Sequence, residues 1–477
     1  MAEPGTVDVV EVLRGVLPDD LVRSGADAGD DFHHDEALGI EPVIPAAVVT
    51  PETEDQVAAV LAACDASGIP VTARGSGTGL SGAAIPHADG TVIAFDRMAE
   101  IIEIDEDNLV AVVQPGVTLD QLDQALAPRG LVYPVFPGEY SASLGGNVAT
   151  NAGGMRAVKY GVTRHQVLGL RAVLPSGEVL TTGGKFVKGS TGYDLTQLII
   201  GSEGTLAVVT EATLKLYPRP EHRATVLAPF TTLDQVTRAV PAIVKSGIGP
   251  MILEYIDMLT MSGIENTLGV EVGVPEDIKA TALAYLVVQL EDRHEDRLDA
   301  DTQALAELVA DLGAIDVYVL PSNAATQLIE AREKAFWLAK GAGAHDIVDV
   351  VVPRASIDPF LTAVSELAQE KGTFIAGCGH AGDGNVHLSV FQPDPDVRYE
   401  MMLGLFRLGM DHGGAISGEH GLGRTKAKYW LELEDPTKVA LMRRIKSAFD
   451  PNGILNPGAL FGGTASRARS PRPSRGS

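Results

Sequence analysis

The sequence predicts an α+β protein of at least two domains. Its 477 residues are too many for one ordinary hydrophobic core. Hydrophobic residues make up 45% and charged residues 21%, which is the range of a folded chain and excludes disorder over most of it. Segments with helical spacing of apolar residues alternate with short apolar runs that read as strands.

The elements follow in order. After an N-terminal segment, 1–41, a compact unit spans 42–220. Thr53 with Gln56 reads as a capping box, and Val57, Val60, Leu61 and Cys64 then recur at helical spacing. Gly68 fits the helix stop, and Ile69–Ala73 reads as a strand. Residues 91–95 and 109–114 give two more strands, followed by a helix over 119–126. Short strands at 206–210 and 212–217 close the unit, and Pro218 and Pro220 mark its boundary. The next unit, 221–412, alternates helices at about 232–246 and 300–312 with strands at 283–290 and 315–320. Residues 413–461 turn glycine-rich again. The tail 462–477, made of Ser, Pro, Gly and Arg, reads as disordered.

Composition excludes several roles. With 37 basic and 63 acidic residues the net charge is -26, which opposes binding to a nucleic-acid backbone. Cys64 and Cys378 lie far apart, giving no disulfide framework and no CxxC site, as suits a reducing cytoplasm. Met1–Glu11 is acidic, so no signal peptide is expected. No run of eighteen apolar residues occurs, so no membrane-spanning segment is expected.

Three glycine-rich stretches in the first unit point to a cofactor. The first is Arg74-Gly75-Ser76-Gly77-Thr78-Gly79-Leu80-Ser81-Gly82. Gly77, Gly79 and Gly82 satisfy G-x-G-x-x-G, but Pro86, His87, Gly90 and a strand follow, so the helix a Rossmann site requires is missing. Successive backbone N–H groups in such a strand–loop–strand can still form an anion nest. The second runs from Pro137-Gly138 through Ser143, Gly145, Gly146 and Asn151 to Gly153-Gly154. It has little charge or bulk and suits a backbone lying against a large flat ligand. The third is Gly201-Ser202-Glu203-Gly204, entering a strand. Three such loops in one unit are hard to explain as plain turns.

Over residues 42–461 this order of segments resembles the vanillyl-alcohol-oxidase and p-cresol-methylhydroxylase type of flavoprotein. Within it, the chain is similar to the FAD-linked D-2-hydroxyacid dehydrogenases, the branch of D-lactate dehydrogenase, the glycolate oxidase D subunit and D-2-hydroxyglutarate dehydrogenase. The resemblance implies an FAD-binding domain over 42–220, a substrate domain over 221–412 and a C-terminal segment, 413–461, returning to the flavin. It implies FAD contacts from Arg74, Gly75, Ser76, Gly77, Thr78, Gly79, Leu80 and Ser81 in the first loop. From the second come Pro137, Ser143, Gly145, Gly146, Asn151, Gly153 and Gly154. Glu203, Gly204 and Val208 come from the third, and Asn456 from the closing Asn456-Pro457-Gly458. Ala207 stands where the family usually has glycine, and Ala459 where a basic residue is usual. No candidate for a linking histidine stands out; His33 and His34 are the nearest and read as structural, so non-covalent FAD is expected.

The sharpest chemical signal is Gly379-His380-Ala381-Gly382-Asp383-Gly384-Asn385-Val386-His387, flanked by apolar runs. A two-residue turn at Asp383-Gly384 would pair His380 directly with His387, with Cβ atoms about 5 Å apart. Two imidazoles so placed can share a metal ion. Ser417-Gly418-Glu419-His420-Gly421 offers a carboxylate and a third imidazole between glycines. Alone it reads as a solvated turn. The resemblance makes His380, His387 and Glu419 the ligands of zinc, manganese or iron, and His420 the general base. It also matches Arg332 to the arginine that grips the substrate carboxylate. By sequence alone Arg332 reads as a helix-surface residue.

These expectations describe oxidation of a D-2-hydroxy acid, D-lactate or glycolate-like, with a hydride passing to flavin N5. The positions that bind a distal carboxylate in the 2-hydroxyglutarate enzymes fall in a stretch with Phe336 and Ile347-Val348-Asp349 here, which argues against a dicarboxylate. With no iron–sulfur cysteines and no Rossmann site, the oxidant is external: a quinone, an electron-transfer flavoprotein, a cytochrome or oxygen. The resemblance admits a homodimer, and a cytoplasmic protein that associates with a membrane through its acceptor. The rivals are D-2-hydroxyglutarate dehydrogenase, a flavin oxidase of another alcohol, a non-catalytic oxidase subunit and a zinc hydrolase.

Overall fold

The structure, a computed structural model, describes residues 7–462, so the tail expected to be disordered lies almost entirely outside the described residues. Three main sheets organise the chain. The first is four-stranded, in the order Val22–Ser24, Ala47–Val49, Thr91–Ala94, Val71–Arg74, with its last three strands parallel. The N-terminal segment thus supplies an edge strand. The second is an antiparallel five-stranded sheet: Ile101–Asp105, Val110–Val113, Val208–Lys215, Val167–Val173, Val179–Gly183. Val173 and Val208 join the first sheet's core and so tie the two together.

Local chemistry explains the helices read from sequence. Thr53 Oγ1 accepts from Gln56 N, and helix Glu54–Ser67 stops at Gly68, where φ is +66°. The Gln56 side chain reaches back to Glu52 N, one residue short of the ideal box. Val57, Val60, Leu61 and Cys64 are its buried face, as their spacing requires. Helix Leu119–Leu126 carries a complete capping box from Thr118 and Gln121.

The third sheet is seven-stranded, in the order Tyr318–Val319, His222–Phe230, Ala284–Asp292, Ile252–Asp257, Phe374–His380, Asn385–Phe391, Asp346–Val351. One face packs on helices Leu233–Ser246, Glu295–Asp311, Ile357–Glu370 and Pro395–Asp411 through residues such as Phe230, Leu286, Leu305 and Phe360. The other meets helices Met258–Leu268 and Ser322–Glu333 through Ile256, Ile264 and Leu328. That second face carries Glu254, Cys378, His380, His387 and Asp349, because side chains alternate along a strand.

Several expectations are corrected. The strands expected at 206–210 and 212–217 are one strand, Val208–Lys215, and the run 315–320 is extended only at Tyr318–Val319. The helix expected at 300–312 begins earlier, at Glu295. The second glycine stretch, for which the sequence suggested no helix, contains one at Leu144–Thr150, closed by Asn151 at φ +56°. Gly145 serves close approach, since a Cβ there would lie 2.5 Å from Pro115 Cβ.

The histidine hairpin is also shifted. His380 pairs with Asn385, and Cys378 with His387, around a four-residue loop, Ala381–Gly384. Neighbouring strands force the longer loop. Gly382 N donates to Leu253 O at 2.9 Å, Val352 N donates to Gly384 O at 3.0 Å, and Gly384 sits at φ +93°. A shift of two residues keeps both imidazoles on one face, so they meet diagonally, with ring centroids 4.8 Å apart.

Candidate active site

The site assembles where the second face of the seven-stranded sheet meets the glycine loops. His380 ends its strand and Glu254 lies beside it in register. His380 Nδ1 bonds Glu254 Oε1 at 2.7 Å, which turns Nε2 toward Glu419. Glu419 Oε1 lies 3.1 Å from His380 Nε2 and 3.2 Å from His387 Nε2. The three donor atoms lie within 4.8 Å of one another. Ligand atoms about 2.1 Å from one tetrahedral cation stand roughly 3.4 Å apart, so the set fits a divalent ion. Apart from Glu419, the buried His387 Nε2 has no polar partner in the protein, as suits a nitrogen of the same donor set. Burial opposes the charge on His380, but Glu254 and Glu419 raise it to about 10. A cation at this position displaces that proton, so metal and proton compete here.

Adjacent residues of a regular strand face opposite ways, so the glycines around Glu419 and His420 suggest an irregular backbone, and its shape has a specific cause. Asp349 is that cause. Its Oδ2 accepts from Gly418 N at 3.1 Å, Glu419 N at 2.9 Å, His420 N at 2.8 Å and Ser417 Oγ at 3.0 Å. The segment curls around this one oxygen, and Gly421 at φ +80° lets it leave. Burial opposes ionisation of Asp349, but His420, the paired Lys426 and these donors hold it at about 2. His420 Nδ1 lies 3.8 Å from Asp349 Oδ1, and the His420 ring centroid is 5.2 Å from that of His387. Burial lowers His420 to about 4, so its imidazole is neutral near pH 7 and free to accept a proton.

Arg332 is not a surface residue. It sits in the last turn of helix Ser322–Glu333, buried at 6% exposure. Its Nη2 lies 2.7 Å from Glu254 Oε2, while Nε has no partner. Glu254 therefore orients both Arg332 and His380. Neither Glu254 nor Asp349, nor Lys426, was picked out from sequence. A signal existed: each acid interrupts an apolar strand, Ile252-Leu253-Glu254-Tyr255-Ile256 and Ile347-Val348-Asp349-Val350-Val351, and a charge in such a run needs a partner.

Two cavities meet at this cluster. One, about 170 Å³, is walled by Gly75–Ser81, Pro137, Ser143, Gly146, Gly153 and Gly204. The other, about 710 Å³, contains Gly154, Arg332, His380 and His387 in its wall. Leu80, Pro137, Glu419 and His420 border both. Arg74, Gly145 and Val208 line a smaller pocket behind the first cavity. Among the described residues, no protein acceptor takes the N–H groups of Gly77, Thr78, Gly79 and Leu80. Such a nest beside a slot fits the pyrophosphate of a dinucleotide.

Not every predicted cofactor residue offers its side chain to the slot. The Arg74 guanidinium bonds Asp31 O and Gly75 O. Asn151 Oδ1 accepts from Arg164 N, and Asn456 Nδ2 bridges Ala83 O and Glu203 O. The Glu203 carboxylate accepts from Leu422 N and Gly423 N, and burial raises it to about 7. Ser81 Oγ donates to His420 O at 2.9 Å, so the first and third loops both hold the segment that carries the base candidate. His33 Nε2 contacts Gly25 O at 3.1 Å, in keeping with a structural role.

Comparisons with known proteins give the family and the fold. Residues 45–183 match the FAD binding domain, and residues 219–460 the C-terminal domain of FAD linked oxidases. An FAD-linked oxidoreductase of Mycobacterium tuberculosis is 58% identical over 91% of this chain and 95% of its own. A D-lactate dehydrogenase of Anaerostipes hadrus is 36% identical over 95% of this chain and 97% of its own. In fold, the chain is similar to p-cresol methylhydroxylase, with a TM-score of 0.77 at 19% identity over 95% of this chain and 96% of that one. No helix among the described residues is long and apolar enough to cross a membrane. Both family models match, the relatives are similar over nearly the full length of both chains, and the chain belongs to the FAD-linked oxidoreductases.

Proposed function

We propose that the protein oxidises a D-2-hydroxy acid of the D-lactate or glycolate type to the 2-oxo acid. The observation that carries this is the meeting of Arg332, His420 and the His380–His387–Glu419 set at the junction of the dinucleotide slot and the larger cavity. Arg332 binds the carboxylate through its planar guanidinium, held in orientation by Glu254. His420 takes the hydroxyl proton on its imidazole, and Asp349 keeps its backbone in place. FAD, held along the glycine loops, would supply acceptance of the C2 hydride at flavin N5, with an external quinone, electron-transfer flavoprotein or cytochrome as the oxidant. A divalent ion on His380, His387 and Glu419 would supply Lewis-acid activation of the substrate hydroxyl. The similarity to D-lactate dehydrogenase supports the substrate class.

Anaerobic addition of D- and L-2-hydroxy acids tests this. D-lactate should bleach the flavin spectrum and L-lactate should not. Bleaching by the L acid alone, or by neither, would sink the reading. His387→Ala should stay yellow, lose metal and reduce its flavin at least a hundredfold more slowly. Full turnover in that variant would remove the metal from the mechanism.

The structure also links the second glycine stretch to the proposed metal. A Cβ on Gly153 would stand 2.7 Å from Glu419 Oε2 and 3.2 Å from Glu419 Cβ. Gly153→Ala must therefore displace Glu419. The expected result is a lower metal-to-flavin ratio at normal flavin content, measured by metal analysis beside the flavin spectrum.

A further inference from the structure

The larger cavity is too big for lactate. At about 710 Å³ it falls within the roughly 300–1,000 Å³ of sites that hold drug-sized ligands. FAD held by the glycine loops would border this cavity at Leu80 and Pro137, which it shares with the nucleotide slot. The opposite wall is formed by Leu259, Phe336, Trp337, Phe374 and Phe391, on elements that carry no nucleotide loop. Arg332 is the one lysine or arginine in the wall among the described residues. Phe336 and Ile347, in the stretch where a dicarboxylate enzyme would present polar groups, are both apolar wall residues.

The outer wall of the chamber is mainly apolar, although Glu333 also borders it and Lys340 Nζ, paired with Glu36, lies 5.0 Å from the Trp337 ring centroid. Leu259 is 47% exposed, Trp337 45% and Phe374 52%. Phe374 stacks near Phe391 at 5.3 Å, and Phe336 near Trp337 at 5.2 Å, so the lip is built of paired rings. Helix Met258–Leu268 presents Leu259, Gly263 and Thr267, four residues apart, along one side. A Cβ on Gly263 would meet nothing within 4 Å, and the same is true of Gly341 in the wall. The chamber is therefore wide as well as apolar, and it is continuous with the single carboxylate anchor.

We infer that the preferred substrate is a D-2-hydroxy acid with an extended apolar side chain, a medium-length alkyl group that runs from Arg332 to the aromatic lip. This rests on the 2-hydroxy-acid reading above and specifies its side chain. One cation at the inner end fixes the carboxylate; the rest of the chamber offers dispersion and dehydration, which reward methylenes and penalise a second charge.

The test is kcat/KM with a dye acceptor for D-2-hydroxy acids of three, six and ten carbons and for D-2-hydroxyglutarate. These are measured in wild-type holoenzyme, Gly263→Phe and Gly341→Phe. Each added methylene should raise kcat/KM about fourfold until the chain reaches the lip. D-2-hydroxyglutarate should lie below the six-carbon monoacid. Each phenylalanine should lower the ratio of ten-carbon to three-carbon activity at least tenfold, and flavin content reports whether a variant has folded. Two substitutions on separate elements keep the test alive if one misfolds. A flat or falling series with D-lactate still oxidised would overturn this inference and leave the proposed reaction standing. Chain-length preference that survives both substitutions would also overturn it, because the chain would then lie elsewhere. A best rate with D-2-hydroxyglutarate would do the same. If the ratio is unmoved while both variants raise KM for a lipophilic quinone, the chamber belongs to the electron acceptor and the inference falls. Flavin that no D-2-hydroxy acid reduces would instead remove the proposed reaction itself.

Discussion

Replacing His420 with asparagine should leave FAD and metal in place and slow flavin reduction by about a hundred- to ten-thousand-fold. Removing its neighbour should do something different. Glu419→Ala should lose metal, and added metal should restore part of the rate. The structure separates the two duties although the residues are adjacent. Glu419 Oε1 faces both His380 Nε2 and His387 Nε2, whereas His420 stands outside that donor set, near Asp349. Asparagine keeps the backbone N–H that Asp349 holds, so the loop should persist in the variant. The measurements are metal content and the anaerobic rate of flavin reduction by D-lactate. Wild-type reduction in His420→Asn would move the base elsewhere. Normal metal and normal rates in both variants would reduce the cluster to a structural one.

Much of this arrangement was legible in the sequence because local chemistry dictates it. Thr53, Gln56 and Gly68 bound a helix by side-chain and backbone hydrogen bonding alone, and Thr118 with Gln121 does the same. The glycine loops were legible because a nest needs glycine at particular places whatever surrounds it. What escaped was set by distant partners. The register of the histidine hairpin depends on Leu253 and Val352, which hold the loop from neighbouring strands. A two-residue Asp-Gly turn is the better local choice, but it loses to those two hydrogen bonds. Helix Leu144–Thr150 was missed because its glycines argue against helix locally, while Pro115 demands the small size of Gly145. Arg332 read as a surface residue since its partner, Glu254, lies 78 positions away in sequence, in a strand of another supersecondary unit. Pairings of this sort appear only once the sheet order is known.

Asp349 yields the largest expected effect on stability. Its side chain is fully buried, and so is nearly all of Lys426, at 2% exposure. Asp349→Ala leaves the ammonium without its partner, and the backbone N–H groups of Glu419 and His420 without an acceptor, while Gly418 N keeps the Asp349 backbone carbonyl. Stranding one member of a buried pair costs about 3–5 kcal/mol, so the melting temperature should fall by many degrees. A loss of activity in that variant would be uninformative by itself, because a partly unfolded enzyme is slow for trivial reasons. The double variant Asp349→Asn/Lys426→Met resolves this. It removes both charges, keeps an amide oxygen for the loop N–H groups and fills the space of the lysine stem. Stability should largely return, since neither charge is left alone. Flavin reduction should not, because His420 loses the carboxylate beside Nδ1 that favours its protonated form as the substrate proton arrives. Thermal unfolding and anaerobic reduction rates of Asp349→Asn, Lys426→Met and the double variant give a cycle for each property. Recovery of stability and rate together would mean that Asp349 acts only by holding the fold. Recovery of stability alone would make it the residue that positions and polarises His420.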